Sequence, residues 1–189
     1  MDDASTDKAG KLLAALRQGG ADAASAREWL AFAGDALERD GREPMRAVVA
    51  SELAASLGSV DEDSARWLLR QEVAAHEARG AGASESLLTL VAAVARYGRP
   101  DDALLIWRAR EATAETRAAV DVEQMARADL TSTRALLARL AISSDAQADA
   151  ARHALDWLEE GASMGAFGDL PAYFLWADER FGLSVSGPT

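Results

Sequence analysis

Cysteine is absent, and histidine occurs only at positions 76 and 153. The first absence excludes a disulfide scaffold and any thiolate metal site. The second leaves few imidazoles for metal ligation or proton transfer. Val, Ile and Thr together number 18 in 189 residues, too few for a sheet protein built on β-branched side chains. Positive charge is also short: 20 Lys and Arg face 31 Asp and Glu, a net charge of −11. That balance disfavours a nucleic-acid binder. The longest apolar run, 87–95, is interrupted by Thr89 and is far too short to span a bilayer. The start, Met1-Asp2-Asp3-Ala4-Ser5, lacks the basic and apolar regions of a secretory signal. A cytoplasmic protein with no membrane association is expected.

What the chain has instead is 44 alanines and 23 leucines, the composition of a helical protein. Five Trp, four Phe and the leucines must carry most of the burial energy. Arg outnumbers Lys 18 to 2. Codon usage in a GC-rich genome explains that bias. So does selection for forked contacts to carboxylate or phosphate.

A spacing recurs. Gly20, Gly58 and Gly98 are each followed nine residues later by a tryptophan, Trp29, Trp67 and Trp107. The tryptophans are 38 and 40 residues apart, within the range of helical-hairpin repeats. Before each glycine lies an apolar stripe at helical spacing: Leu12, Leu13, Leu16; Val49, Leu53, Leu57; Leu87, Leu90, Val91, Val94. Each glycine is expected to cap a first helix in the left-handed conformation. After each come acids, Asp22; Asp61, Glu62, Asp63; Asp101, Asp102, expected to cap the second helix. The tryptophans then read as core knobs, one per hairpin. Further helices are expected at 115–128, at 131–141 with Thr131 or Ser132 as cap, and at 145–160, ended by Gly161. A loop is expected at 161–168 and a last helix from Asp169-Leu170-Pro171. The segments 80–82 and 184–189 read as a glycine loop and a frayed tail.

The third unit resembles a tetratricopeptide repeat. Leu87, Leu90 and Val94 fall at the apolar positions of the first helix, and Gly98, Ala103 and Trp107 keep the turn-to-second-helix spacing. Val91 and Arg110 stand where small residues are usual, and the period exceeds 34. The likeness is therefore to a divergent tetratricopeptide- or HEAT-like α-solenoid. The segment 104–110, with Val120-Asp121 after it, also resembles a stretch of uncharacterised bacterial helical proteins. The resemblance implies an all-α, α-α superhelix of about five antiparallel helix pairs in one domain, 1–189. Its units would be 7–39, 43–79, 83–114, 115–141 and 144–181. Such stacks present extended binding surfaces.

Chemistry-bearing constellations are sparse. His153 has Asp149 and Asp156 on its helix face, the beginnings of a metal site; His76 has Glu72 and Glu77. A structural role is the simpler reading of both. No Glu-x-x-His, His-Glu-x-x-His or phosphate loop occurs. Arg96, Arg99, Arg108 and Arg110 are the best basic cluster, but acids interleave with them. Arg110 falls on the face expected to meet a neighbouring helix, with Asp121 or Glu123 as a partner, or with its stem covering apolar surface while its head reaches water.

The function these readings favour is a non-enzymatic protein-protein interaction module without catalytic, cofactor or metal residues. Its partner-binding residues would be Trp107, Arg108, Arg110, Glu111 and Asp121. The partner would be another protein, basic in character, with an acidic inhibitor or immunity-type protein as the most specific form. The alternatives are a helical metal-binding protein or enzyme centred on His153, and a nucleic-acid-binding helical-repeat protein.

Overall fold

Glycine pairs and buried stripes set the first turns of the architecture. The computed structural model describes residues 3–34, 40–80 and 82–183. The expected tail at 184–189, Ala81 of the glycine loop and the end of the first unit at 35–39 lie outside them. α1 (Asp3–Gln18) buries Ala9, Leu13 and Leu16. Gly19 and Gly20 follow with φ of 76° and 64°, a left-handed pair that ends α1 and starts α2 (Gly20–Leu30). α3 (Glu43–Ala55) carries Pro44 in its first turn, where no amide hydrogen is needed. α4 (Glu62–Arg79) follows a 3-10 turn at Ser59–Asp61 and ends at left-handed Gly80. α5 (Glu85–Arg96) starts at Ser84, whose Oγ accepts from the Leu87 amide. α6 (Ala103–Glu111), α7 (Ala114–Ala119), α8 (Leu130–Ala141), α9 (Ala148–Ser163) and α10 (Leu170–Arg180) complete the chain, with 3-10 turns at Pro100–Asp102 and Val122–Ala126. The protein is all-α: ten α-helices and no strand occur among the described residues.

α5 is the central element. Its residues 89–95 are all buried and, Thr89 aside, apolar, as befits a helix enclosed by others. It packs on α3, α4 and α6, while α1 packs on α2 and α3, and α8 pairs with α9, which lies on α6. One continuous apolar cluster runs from Ala9 to Leu183. Alanine lets these helices approach closely: Ala50, Ala65, Ala75, Ala92, Ala93, Ala109 and Ala151 have no exposed surface.

Several expectations are corrected. Gly58 is extended at φ −128° and does not cap α3; its amide donates to Asp61 Oδ2 at 2.9 Å. Asp61 and Asp102 make no side-chain cap to α4 or α6. Both are buried and serve instead as acceptors for arginines from other helices. Arg17 grips Asp61 with Nε and Nη2 at 2.7 and 2.9 Å, and Arg66 grips Asp102 at 2.5 and 2.8 Å. Arg127 does the same to Asp178 of α10, both bonds at 2.7 Å. Forked contacts of this kind favour Arg over Lys. The helix at 145–160 is displaced, because Gly161 sits inside α9, where a Cβ would meet the Phe167 ring at 3.3 Å. The cap of α8 is Asp129, not Thr131 or Ser132; it accepts from both their amides.

The tryptophans are not a uniform core series. Trp107 is buried at 5% exposure because α9 covers α6, whereas Trp67 is half-buried. Trp29 and Trp176 are 37% and 52% exposed. α2 packs chiefly on α1, and the Lys8 ammonium lies over the Trp29 ring, 3.8 Å from its centroid.

Beneath α5 lies a buried polar network with no sequence signature. Arg46 of α3 has no exposed surface. Its Nε donates to Glu72 Oε1 at 2.6 Å, and its Nη2 stands 2.6 Å from Asp40 Oδ2, off the hydrogen-bond axis. Glu72 Oε2 accepts from Ser86 at 2.8 Å. His76 is buried on the same side: Nε2 accepts from the Ser84 amide at 3.3 Å, so Nδ1 carries the proton donated to Glu72 O at 2.7 Å. His76, expected to be structural, is therefore an interior connector between α4 and α5.

Arg46→Ala leaves two buried carboxylates unpaired. The expected loss is about 3–5 kcal/mol, read from urea unfolding; a loss under about 1 kcal/mol, ordinary for a surface pair, contradicts the network's role. A second outcome concerns pH. Arg79 and Arg66 bond Glu43 and Glu62 and hold both carboxyls below the usual Glu value. Their stabilisation is complete above that value and is lost as pH falls through the lowered ones. Glu43→Gln/Glu62→Gln is expected to flatten the acid limb of stability as pH falls below the usual Glu value. An unchanged limb refutes the assignment.

Candidate functional site

α6 is short, and its two faces differ. Ala103, Ile106, Trp107, Ala109 and Arg110 turn inward, while Leu104, Leu105, Arg108 and Glu111 are half-buried or exposed. Because α9 lies across α6 and α8 lies across α9, this outer strip borders two clefts that share Trp107 and Glu111.

The first cleft, about 440 Å³, lies between α6 and α9. It is lined by Trp107, Glu111, His153, Asp156, Trp157 and Glu160, with Arg117 at its edge. Trp157 is 38% exposed. One of its faces meets the Arg110 guanidinium, 4.6 Å from the ring centroid. Arg117 is held by Glu111, Nη2 to Oε2 at 2.7 Å. Asp156 and Glu160 are exposed, and among the described residues no cation lies within ion-pair distance of them. The cleft is thus an indole wall with free carboxylates beside it.

The second cleft, about 650 Å³, opens where α4, α6, α8 and the start of α9 meet. Leu104 and Leu105 of α6 and Leu136 and Leu140 of α8 make its apolar floor. Arg70, Arg108 and Arg139 stand around it, with Asp101 at one end. Arg108 is bound to Glu77 by two bonds of 2.7 Å.

Of the five expected partner-binding residues, Trp107, Arg108 and Glu111 come together on these clefts. Arg110 lies beneath the first. Asp121 is placed elsewhere: its Oδ2 accepts from the Tyr173 hydroxyl at 2.9 Å, and burial, followed by the nearby Asp121 charge, raises the Tyr173 pKa. Asp121 and Glu123 do not pair with Arg110. Arg110 Nη1 instead donates to the carbonyls of Arg117 and of Val120, the latter at 3.0 Å. Those are the terminal carbonyls of α7, where a cation is favoured. This contact explains why the helix expected at 115–128 is broken. Val120 and Asp121 are extended, and Arg110 satisfies the carbonyls that a continuing helix would have used. Burial lowers the Arg110 pKa, opposed by Glu111.

The competing clusters fare differently. Asp149 is bound to Arg152 at 2.7 Å, and no group of three His, Asp or Glu side chains is placed to hold a metal ion among the described residues. Each member of the basic cluster is engaged. Arg96 bonds the Leu183 carbonyl, Arg99 pairs with Glu62, Arg108 with Glu77, and Arg110 caps α7. Arg70 and Arg139 were not legible as special. Neither has an acid three or four residues away on its helix, but the same holds for Arg17, which finds Asp61 through the fold.

Comparison with known proteins returns no match to a family model, to a curated protein or to a solved structure.

Arg110→Met keeps the stem and removes the head. The expected result is a loss of about 2–3 kcal/mol, the scale of charged hydrogen bonds to buried carbonyls, with amide exchange accelerating selectively at 114–120. Uniform exchange across all helices would show that Arg110 does not anchor α7.

Proposed function

We propose that this chain is a non-enzymatic protein-binding module that docks a basic segment of a partner on the α6–α9 cleft. The observation that carries the reading is the exposed Trp157 ring flanked by Asp156 and Glu160, two carboxylates with no ion-pair partner. A lysine or arginine side chain seats its stem on an indole and its charge on carboxylates. The ring already accepts one guanidinium, that of Arg110. A net charge of −11 accelerates encounter with a basic partner in a salt-dependent way. An acidic inhibitor or immunity-type protein is the most specific form of this reading.

The architecture we infer is a stack of antiparallel helix pairs in one domain. Its support is the neighbour order: α1 on α3, α3 on α5, and α4 on α6, with each pair also in contact across its turn. No helix among the described residues is long and apolar enough to cross a membrane, and a cytoplasmic location is part of the proposal.

A short Arg/Lys-rich peptide is the probe. Titrated into the labelled protein at low salt, it is expected to shift the Trp157 indole N–H resonance, and Asp156→Arg/Glu160→Arg is expected to weaken binding by at least about tenfold. Shifts that bypass Trp157, or an unaltered affinity in the double variant, remove the reading.

A further inference from the structure

Cations in this protein are almost all spoken for. Among the described residues, each Lys and Arg side chain contacts a carboxylate, a carbonyl or an aromatic ring, except Arg70 of α4 and Arg139 of α8. Both exceptions line the same cleft, the one floored by Leu104, Leu105, Leu136 and Leu140. Two unneutralised guanidiniums on one cleft are conspicuous in a chain with eleven surplus acids. Local helix geometry leaves them no partner, and the fold brings them none.

We propose that this cleft binds a small amphipathic monocarboxylate, with its apolar body on the leucine floor and its carboxylate between Arg70 and Arg139. Guanidinium forks match a carboxylate's two oxygens. The cleft's volume, about 650 Å³, falls in the range of small-molecule sites, about 300–1,000 Å³, and its apolar floor with few convergent polar groups is their usual lining. Arg108 adds to the positive rim but is neutralised by Glu77. Asp101 and Glu111 also border the cleft. Glu111 is paired with Arg117, so Asp101 alone opposes the two free guanidiniums, and the surplus of one positive charge suits a single anionic head and opposes a phosphate ester or a nucleic acid. The site stands apart from the docking cup in chemistry: free cations over aliphatic floor here, free carboxylates beside an indole there. Trp107 and Glu111 form the wall between them.

The test uses the full chain and decanoate below its micellar concentration, followed by calorimetry. Saturable one-site binding is expected. Decanol and decyltrimethylammonium are expected to bind at least about tenfold more weakly, as is decanoate to Arg70→Gln/Arg139→Gln. Both arginines are exposed and unpaired, so the double variant is expected to fold, which circular dichroism checks. Arg152→Gln, altering an arginine paired outside the cleft, is expected to leave binding unchanged. Four results overturn the proposal: no saturable binding, equal binding of the cationic analogue, an unaffected double variant, or binding of an acidic amphipathic peptide where decanoate fails. None of these depends on the Arg/Lys-rich peptide or on Asp156 and Glu160, so this site and the docking cup stand or fall separately.

Discussion

A guanidinium without access to water has to be answered on several sides, and Arg46 imposes that demand on four parts of the chain. Glu72 comes from α4, Asp40 from the segment entering α3, the Leu30 carbonyl from the end of α2, and Ser86 reaches Glu72 from α5. Stripping water from three charged groups costs several kcal/mol each, and only near-complete mutual pairing offsets it. A shifted register of α3 on α4 or α5 would strand at least one charge. Apolar packing alone is more forgiving, because leucines and alanines tolerate sliding. The ionic network therefore fixes how these helices meet, and the leucine and alanine cluster supplies the bulk of the burial.

The same device recurs toward the surface in milder form. Arg17 with Asp61, Arg66 with Asp102 and Arg127 with Asp178 each link elements far apart in sequence. The planar fork of arginine explains why lysine does not serve. Codon bias can supply the arginines, but the two-pronged contacts show what they do. This accounting also isolates the places where charge is left over. Asp156 and Glu160 flank an exposed indole; Arg70 and Arg139 flank a leucine floor. Opposite surpluses lie on either side of Trp107, and that contrast, rather than the overall acidity, distinguishes the α6–α9 surface.

Much of the helical content was legible because it depends on local periodicity. Leu13 and Leu16, Val49 and Leu53, and Leu87, Leu90, Val91 and Val94 are buried as their spacing implies. Gly98, with φ of 62°, closes α5 as expected of a left-handed cap. Gly58 shows the limit: the same spacing to a tryptophan accompanies an extended glycine, because Asp61 draws its amide into a side-chain bond. The tryptophans show another. Spacing places each on a second helix, but burial depends on how fully later helices cover it: Trp107 lies beneath α9, Trp67 is half-buried and Trp29 is 37% exposed. The break after α7 is set by Arg110, a contact no periodic pattern encodes.

Composition and spacing by themselves determined an all-helical, cysteine-free, acidic chain, the faces its main helices bury, and the grouping of Trp107, Arg108 and Glu111 on one helix. These follow from nearest neighbours along a helix, where three or four residues suffice. Beyond local pairs such as Asp149 with Arg152, only tertiary structure decided which charges are cancelled. Asp102 reads as a cap until Arg66 arrives from α4, and Arg70 reads as one more arginine until no acid does. Pairing across dozens of residues depends on which helices touch, and that is settled by the whole core at once.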